Sequence, residues 1–231
     1  MIDRTNVAAL IPAFREQLHI ADVVRRAKQY LDIVLVIDDG SPDATSTEAA
    51  KSGAMVIRHE ANRGKGAAIK TGLRELLSYG VKYVLILDGD GQHCPEEIPA
   101  FLQESNRSEA HFLLGNRMSD AGKMPLIRRL TNRFMSLQIS RICGQSIPDT
   151  QCGFRMIHHD VIPHMFCESN AYDYETEMIL IASREGFQID PVPVSTVYST
   201  EESKIHPFKD TLRFFKLMSK YRGKIKGENQ R

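Results

Sequence analysis

Short apolar runs alternate with stretches of helical periodicity along the first half of the chain. The runs are rich in β-branched residues and cover 7–11, 33–37, 54–58 and 83–87. Between them, apolar side chains recur at i, i+3, i+4 and i+7 in 18–31 and 65–77, which predicts helices there. Apolar strands that alternate with helices are typical of a parallel sheet covered on both faces. The pattern therefore predicts an α/β fold.

The second half of the chain is less regular. Its pattern predicts strands at 111–117, 153–157 and 187–198, and helices at 125–143, 174–186 and 207–221. Prolines interrupt 187–198, which places that strand at a sheet edge. Because no repeat or low-complexity linker divides the chain, we expect one domain over 1–231, ending in a C-terminal helix and basic tail at 206–231.

Polar motifs follow each of the first four apolar runs. In chain order they read "PAFRE", "DDGSPD", "HEANRGKG" and "DGDGQH". Open parallel sheets bind ligands beyond the carboxyl ends of their strands. The four motifs therefore predict one ligand site at that edge of the sheet.

The composition is that of an ordinary soluble globular chain. It has 231 residues, 42% hydrophobic and 26% charged. The net charge of +1 gives no reason to expect a nucleic-acid partner. The four cysteines form no C-x-x-C pair, which favours reduced thiols and a cytoplasmic location. No signal-peptide pattern is present and no stretch approaches the ~20 apolar residues of a membrane span, so we expect any membrane contact to be peripheral.

The motif "DGDGQH" places two aspartates where a buried strand ends. Asp88 and Asp90 repel each other unless a cation or a shared proton compensates them. With Gln92 they offer the hard oxygen ligands that suit Mg²⁺ or Mn²⁺. An acidic turn satisfied by backbone amides is the alternative for an isolated pair, and the three neighbouring polar motifs favour the metal.

Two further motifs point to nucleotide chemistry. In "DDGSPD" an acid at the strand end can accept hydrogen bonds from a nucleobase or ribose, while Ser41 or Asp43 can cap the following helix. In "NRGKGAA" Lys65 and exposed backbone N–H groups at a helix start suit a phosphate. This loop is neither a Walker loop nor a dinucleotide-binding fingerprint.

Seven stretches of the chain together match one known family. They lie between about 7 and 197 and read "IPAFRE", "VIDDGSPDAT", "NRGKGAAIKTGL", "LILDGDGQHCPEEI", "GNRM", "DTQCGFRMI" and "YDYETEMI". The chain resembles glycosyltransferase family 2, and within it the branch of dolichol-phosphate mannosyltransferases and their bacterial polyprenyl-phosphate relatives. The resemblance implies the GT-A fold, with a Rossmann-like, mostly parallel sheet. It also implies an inverting sugar transferase that uses a nucleotide-diphosphate sugar and Mg²⁺ or Mn²⁺.

The resemblance assigns about 1–120 to the nucleotide sugar. It implies that the nucleoside is held by Pro12, Glu16 and Asp39. It implies that the metal on the diphosphate is held by Asp88, Asp90 and Gln92. Lys65 is expected beside the phosphates, and the motifs are compatible with a UDP or a GDP donor. The chain departs from the family at Phe14, where tyrosine is usual.

The resemblance assigns about 121–205 to the acceptor. It implies that Arg117 lies near a donor or acceptor phosphate and that Glu175 and Glu177 face the acceptor. For the two glutamates, the alternative is that acids in a first helical turn complement the helix dipole.

The acceptor class decides which residues catalyse. A hydroxyl needs a general base, for which Glu175 is the candidate. A lipid phosphate is largely dianionic near pH 7, with a second pKa of about 6, so it needs cations such as Arg129 and Arg155 instead. The family branch favours the polyprenyl phosphate over a glycan or glycolipid hydroxyl. The mixed basic and apolar stretches 125–143 and 214–226 favour weak contact with an anionic membrane.

Two other functions compete with a sugar transferase. A nucleotidyltransferase that makes sugar nucleotides would carry a glycine-rich, arginine-containing loop after the first strand, where this chain has "IPAFRE". A non-enzymatic nucleotide-binding domain would not need intact metal and base positions, and these are present.

Overall fold

A seven-stranded sheet forms the centre of the protein. The computed structural model describes residues 2–167, 169, 173–195 and 217–221. The strands are β1 (Val7–Ala13), β2 (Ile33–Asp38), β3 (Met55–Arg58), β4 (Tyr83–Ile86), β5 (Phe112–Asn116), β6 (Arg155–His158) and β7 (Ile189–Pro193). Their order across the sheet is β3-β2-β1-β4-β6-β5-β7.

The sheet is parallel except at β6. The pairs β1–β2, β1–β4, β2–β3 and β5–β7 are parallel, whereas β6 runs antiparallel to both β4 and β5. All residues of β1 and β4 are buried, as their unbroken apolar sequences require. The predicted mostly parallel α/β sheet is therefore confirmed, and β7 is the edge strand that its prolines indicate.

Six α-helices lie around the sheet in the described part of the chain, in addition to the short helical segment 217–221. They are α1 (Ile20–Ala27), α2 (Thr45–Lys51), α3 (Lys65–Leu77), α4 (Ile98–Arg107), α5 (Leu126–Cys143) and α6 (Asp173–Arg184). The apolar stripes of α1 and α3 are buried as predicted, except for Leu77 at the end of α3, which is 40% exposed. At the start of α2, Asp43 Oδ1 accepts a hydrogen bond from the backbone N–H of Thr45 at 3.1 Å. The helix α4 was not predicted from the pattern.

The topology brings several chain segments to one edge of the sheet. β1, β2 and β4 are parallel, so the motifs that follow them meet at their carboxyl ends. β6 runs the other way, so its first residue, Arg155, lies at this same edge, paired with Ile86 of β4 and Leu114 of β5. β5 ends there too and leads into Arg117. We call this side the carboxyl edge.

The C-terminal region is described only at 217–221, which is helical. The rest of the predicted 207–221 helix and the basic tail lie outside the described residues. Among the helices that the structure describes, none combines the length and the apolar character needed to cross a bilayer.

Candidate active site

Lys65 joins two carboxylates at the carboxyl edge. Its Nζ lies 2.6 Å from Oδ1 of Asp88 and 3.1 Å from Oε2 of Glu175. The three side chains come from the first residue of α3, the segment after β4 and the first turn of α6, and all are mostly buried. The fold thus assembles a cation and two acids from distant parts of the sequence; we call this group the Lys65 cluster.

Arg155 supports the Lys65 cluster from inside the protein. It is fully buried, and its guanidinium donates to the carbonyl of Glu175 at 2.7 Å and to the carbonyl of Cys152 at 2.6 Å. Its Nη2 lies 3.7 Å from Oε1 of Glu175. A planar guanidinium suits such a buried position because it can bind several acceptors at once. Arg155 therefore fixes the start of α6, and the expectation that it is available to an acceptor phosphate is not met.

Gly153 leaves the space in which the acids meet. A Cβ at this position would lie 3.0 Å from Oδ2 of Asp88, and 3.1 Å both from Oε1 of Glu175 and from Cε1 of His93. His93 accepts a hydrogen bond from the backbone N–H of Asp88 at 3.0 Å, and its ring stacks on Phe154. The sequence analysis gave neither Gly153 nor His93 a role, although both lie inside motifs that carried the family resemblance.

The two aspartates of "DGDGQH" have pKa values shifted in opposite directions. Burial opposes the ionisation of Asp88, but the Lys65 ammonium outweighs burial and lowers the pKa of Asp88 to about 2. Burial and then the charge of Asp88 raise the pKa of Asp90. Burial also lowers the pKa of His93, so its imidazole is neutral near pH 7.

These aspartates fit a hard divalent cation. Oδ1 of Asp88 is buried beside the Lys65 ammonium, and the ionised form of Asp90 is destabilised by burial and by the charge of Asp88. The backbone N–H of Gln92 donates to Oδ1 of Asp90 at 2.9 Å, which places Gln92 in the same turn. A divalent cation would relieve the repulsion between Asp88 and Asp90 and bind their carboxylate oxygens, as Mg²⁺ and Mn²⁺ do in carboxylate sites.

Asp39 organises the loop that leads to Lys65. Its carboxylate accepts hydrogen bonds from the backbone N–H groups of Arg63 at 2.9 Å and Gly64 at 2.7 Å, and contacts Nδ1 of His59 at 2.6 Å. Gly64 has φ of +96°, a conformation that glycine adopts without steric cost. Asp39 is thus connected through the "NRGKG" loop to the Lys65 cluster.

Pro12 and Glu16 lie at the end of β1 beside Asp39. Pro12 is buried opposite Ile37 of β2, and the backbone N–H of Asp39 donates to the carbonyl of Ala13 at 2.8 Å. Glu16 is also buried. The structure therefore groups the three residues expected at the nucleoside.

Arg117 forms a separate ion pair with Asp149. Its Nε and Nη2 donate to the two oxygens of Asp149 at 2.7 and 2.9 Å, and its backbone N–H donates at 3.0 Å. Asn132 of α5 donates to the same carboxylate at 2.7 Å. Burial opposes the ionisation of Asp149, but these donors lower its pKa. Sequence reasoning gave Asp149 no role; the motif "DTQCGFRMI", which it begins, was the available signal.

Two expected acceptor residues are not members of the Lys65 cluster. Arg129 is exposed on α5. Glu177 is fully buried, and it binds Nζ of Lys220 at 3.0 Å and the hydroxyl of Tyr221 at 2.9 Å. Residues at i and i+2 point to different sides of a helix, so Glu175 and Glu177 cannot both face the cluster. Glu177 therefore ties the 217–221 segment to α6.

Comparison with known proteins gives a family match. The profile of the family described as "Glycosyl transferase family 2" matches residues 8–166. This range contains β1 to β6 and the acids and cations of the carboxyl edge except those on α6.

Individual relatives cover most of the chain. "UDP-N-acetylglucosamine--dolichyl-phosphate N-acetylglucosaminyltransferase" of Methanococcus voltae is 28% identical, over 82% of this chain and 85% of the relative. "Undecaprenyl-phosphate mannosyltransferase" of Micrococcus luteus is also 28% identical, over 83% of this chain and 84% of the relative. Among solved structures, glucosyl-3-phosphoglycerate synthase of Mycobacterium tuberculosis in complex with UDP superposes with a TM-score of 0.74 at 18% identity, covering 95% of this chain and 80% of that one. The fold is thus the GT-A fold.

Proposed function

The chain belongs to glycosyltransferase family 2, and from that premise we propose that it moves a sugar from a nucleotide-diphosphate sugar to a polyprenyl phosphate, with inversion at the anomeric carbon. The observation that carries this proposal is the Lys65 cluster, which sets a cation between two acids beside Asp90 at the carboxyl edge. The names of the archaeal and bacterial relatives, which specify dolichyl and undecaprenyl phosphate acceptors, support the acceptor class.

On the donor side, we assign Asp88, Asp90 and Gln92 to a Mg²⁺ or Mn²⁺ ion. The bound cation would supply the positive charge that a departing nucleotide diphosphate needs. Lys65, in the first turn of α3, provides further positive charge next to the same acids. A complex of the mycobacterial synthase with Mn²⁺ and UDP supports a metal-dependent donor site in proteins of this fold.

We assign the nucleoside to the carboxyl end of β1, beside Pro12, Glu16 and Asp39. Asp39 has two roles in this proposal, because the carboxylate that faces the nucleoside also binds the loop before Lys65. Asp39→Asn is therefore expected to raise the donor KM while leaving the metal concentration for half-maximal activity unchanged. A nucleotide-bound structure with Asp39 remote from the nucleoside would contradict the assignment.

On the acceptor side, a phosphate nucleophile changes the role of Glu175. A dianionic phosphate requires no general base, so Glu175 serves to position Lys65, which it contacts at 3.1 Å. Arg129 is exposed and open to an incoming phosphate. A hydroxyl acceptor is the second candidate, because the carboxylate of Glu175 lies in the same cluster as Asp88 and could accept a proton.

We propose that α5 brings the protein to the cytoplasmic membrane surface. Its exposed apolar side chains are Leu126, Ile127, Leu130, Phe134 and Leu137. Exposed arginines interleave with them on the same helix. Interfacial binding needs two kinds of side chain. Apolar side chains enter the headgroup region, and neighbouring cations attract anionic lipids. This placement would hold the acceptor site at the membrane that contains a polyprenyl phosphate.

Vesicle sedimentation tests the membrane surface. Ile127→Ser, at an 81% exposed position, is expected to reduce binding to vesicles that contain phosphatidylglycerol. Leu18→Ser is the matched control, because Leu18 is 80% exposed but lies outside α5. Equal binding by both variants and the unchanged protein would contradict the role of α5.

The test of function is a panel of UDP- and GDP-sugars incubated with Mg²⁺ or Mn²⁺, with and without polyprenyl phosphate. We expect glycolipid product from one donor, only with both metal and lipid phosphate. Arg129→Ala should then raise the acceptor KM, and Glu175→Gln should lower kcat less than the ~10²–10⁴-fold loss of a general base. Asp173→Asn, in the same helical turn, controls for the loss of an acid. A collapse of kcat in Glu175→Gln with Arg129→Ala unaffected would favour the hydroxyl acceptor.

A further inference from the structure

Three histidines and an aspartate gather at the edge of the sheet opposite the Lys65 cluster. His158 ends β6 and pairs with Tyr83, the first residue of β4. His111 precedes β5, and its carbonyl accepts the backbone N–H of His158 at 2.8 Å. His159 and Asp160 follow β6 directly. The antiparallel course of β6 therefore creates this group at the amino-terminal edge of the parallel strands.

The side chains of this group converge on one point. One ligand atom each of His111, His158 and Asp160 can be chosen so that all three lie within 4.8 Å of one another. Nδ1 of His158 is 3.2 Å from Oδ2 of Asp160, and Nε2 of His159 is 2.9 Å from the other oxygen, Oδ1. His158 is buried, whereas Asp160 is exposed, so solvent reaches the group from the Asp160 side.

The Nδ1 atom of His158 lies beside the carboxylate of Asp160. This nitrogen accepts the backbone N–H of Asp160 at 3.3 Å, and Oδ2 of the same residue approaches that nitrogen at 3.2 Å. An imidazole nitrogen and a carboxylate oxygen at this separation are joined by a proton on the nitrogen or by a cation that both atoms bind. Imidazole nitrogens combined with one carboxylate suit Zn²⁺ and related transition metals, whereas Mg²⁺ prefers oxygen ligands alone.

We propose that His111, His158 and Asp160 bind a divalent transition metal of the Zn²⁺ class, with water as the fourth ligand. Bonds of about 2.0–2.1 Å in a tetrahedron place ligand atoms about 3.4 Å apart, so no pair of ligand atoms has to close by more than about 1.4 Å. Asp160 is exposed, so its side chain has room to shift towards the two histidines. His159 binds the second oxygen of Asp160 and orients it, as outer-shell partners of metal ligands do.

The site would link the start of β5 to the turn after β6. It lies across the sheet from the Lys65 cluster, so the ion is expected to stabilise the fold and to take no part in sugar transfer. A ligand that binds only the folded state raises the melting temperature in proportion to the logarithm of its concentration. Metal binding and stability, rather than activity, are therefore the readouts.

The experiment is a Zn²⁺ titration of the untagged, reduced full chain by calorimetry, repeated with Co²⁺ by visible absorption. Asp160→Asn and His111→Gln are each expected to weaken Zn²⁺ binding at least ten-fold and to reduce the Zn²⁺-dependent rise in melting temperature at each Zn²⁺ concentration. Asp90→Asn removes an acid from the other cation site and is expected to leave this binding unchanged. His164→Gln is the matched control, since His164 also lies beside an acid, Glu185, but outside the group.

Three results would overturn the proposal. They are no Zn²⁺ binding by the unchanged protein, undiminished binding by Asp160→Asn and His111→Gln, and loss of binding only in Asp90→Asn. Asp160 is exposed, so its variant is expected to keep the fold, which circular dichroism without metal verifies. Anomalous diffraction at the zinc edge gives an independent answer, because the ion must appear between His111, His158 and Asp160.

Discussion

Removal of the Lys65 ammonium tests the electrostatics of the Lys65 cluster. Lys65→Met keeps most of the side-chain volume and leaves Asp88 and Glu175 facing each other without their shared cation. Loss of one partner from a buried ion pair costs about 3–5 kcal/mol of unfolding free energy. The three side chains remain 14–24% exposed, so we expect the lower end, about 3 kcal/mol. At about 2–4 °C per kcal/mol for a chain of this size, the melting temperature should fall by about 6–12 °C at pH 7.

The effect of pH on the stability of Lys65→Met, relative to the unchanged protein, tests the same ion pair. In the unchanged protein the pKa of Asp88 is lowered to about 2, so its ion pair stabilises the fold above the unfolded pKa of about 3.9 and is lost as the pH falls towards 2. Without Lys65, burial and neighbouring acids raise that pKa instead. The loss of stability in Lys65→Met is then present at pH 7 and disappears as Asp88 takes up a proton at lower pH. The difference in melting temperature between Lys65→Met and the unchanged protein should therefore narrow from pH 7 towards pH 4.

Two variants complete the thermal-unfolding assay. Lys65→Met combined with Asp88→Asn should be more stable than Lys65→Met alone, because one of the facing charges is gone. Lys51→Met removes an exposed ion pair to Glu48 of similar length, 2.9 Å, and should cost no more than about 1 kcal/mol. A Lys65→Met variant as stable as Lys51→Met at pH 7, or a stability difference independent of pH, would refute the reasoning.

Three further predictions concern the carboxyl edge and α6. Asp90→Ala should abolish transfer and weaken nucleotide-sugar binding in Mn²⁺ or Mg²⁺; near-normal turnover, or full activity in excess EDTA, would exclude the metal role. Gly153→Ala should lower kcat about ten-fold or more with little loss of melting temperature, because the added methyl group comes within 3.1 Å of two acids and must displace them; unchanged kinetics would show that their positions are not critical. Glu177→Gln should destabilise the protein at pH 7, since hydrogen bonds outweigh burial and lower the pKa of Glu177 to about 2. That stabilisation is present above pH ~4.3 and is lost as the pH falls towards 2, so unfolding curves that differ equally at pH 7 and pH 3 would contradict it.

Sequence patterns predicted the strands and helices in the first half of the chain well, because the signal for each of them lies within a short segment. β1 and β4 are buried on both faces, and such strands must be apolar throughout, which is visible in any short window of sequence. The polar motifs at their carboxyl ends followed from the same rule, and so did the expected proximity of Asp39, Lys65 and Asp88. The direction of β6 could not be predicted in the same way. It depends on how a distant strand inserts between β4 and β5, and no local period encodes it.

The sequence pattern also did not predict in which direction each side chain of α6 points. Glu175 and Glu177 are chemically alike and two residues apart, yet one enters the Lys65 cluster and the other binds Lys220 and Tyr221. The helix itself was predicted, but its rotation about its own axis is fixed by packing against the sheet. Arg155 illustrates the same point, because an arginine is normally exposed and only the carbonyls around it make burial favourable.

The amino-acid pattern is sufficient to predict the α/β class, the parallel strands β1 to β4, a ligand site expected at the carboxyl edge, and Asp88 and Asp90 as candidate metal ligands. These features follow from hydrophobic period and from residue chemistry, which are properties of short segments. Tertiary structure alone decided that Lys65 bridges Asp88 and Glu175, that Arg117 pairs with Asp149, and that His111 meets His158 at the opposite edge. Those contacts join residues far apart in the chain, and only the strand order, with β6 reversed between β4 and β5, brings them within bonding distance.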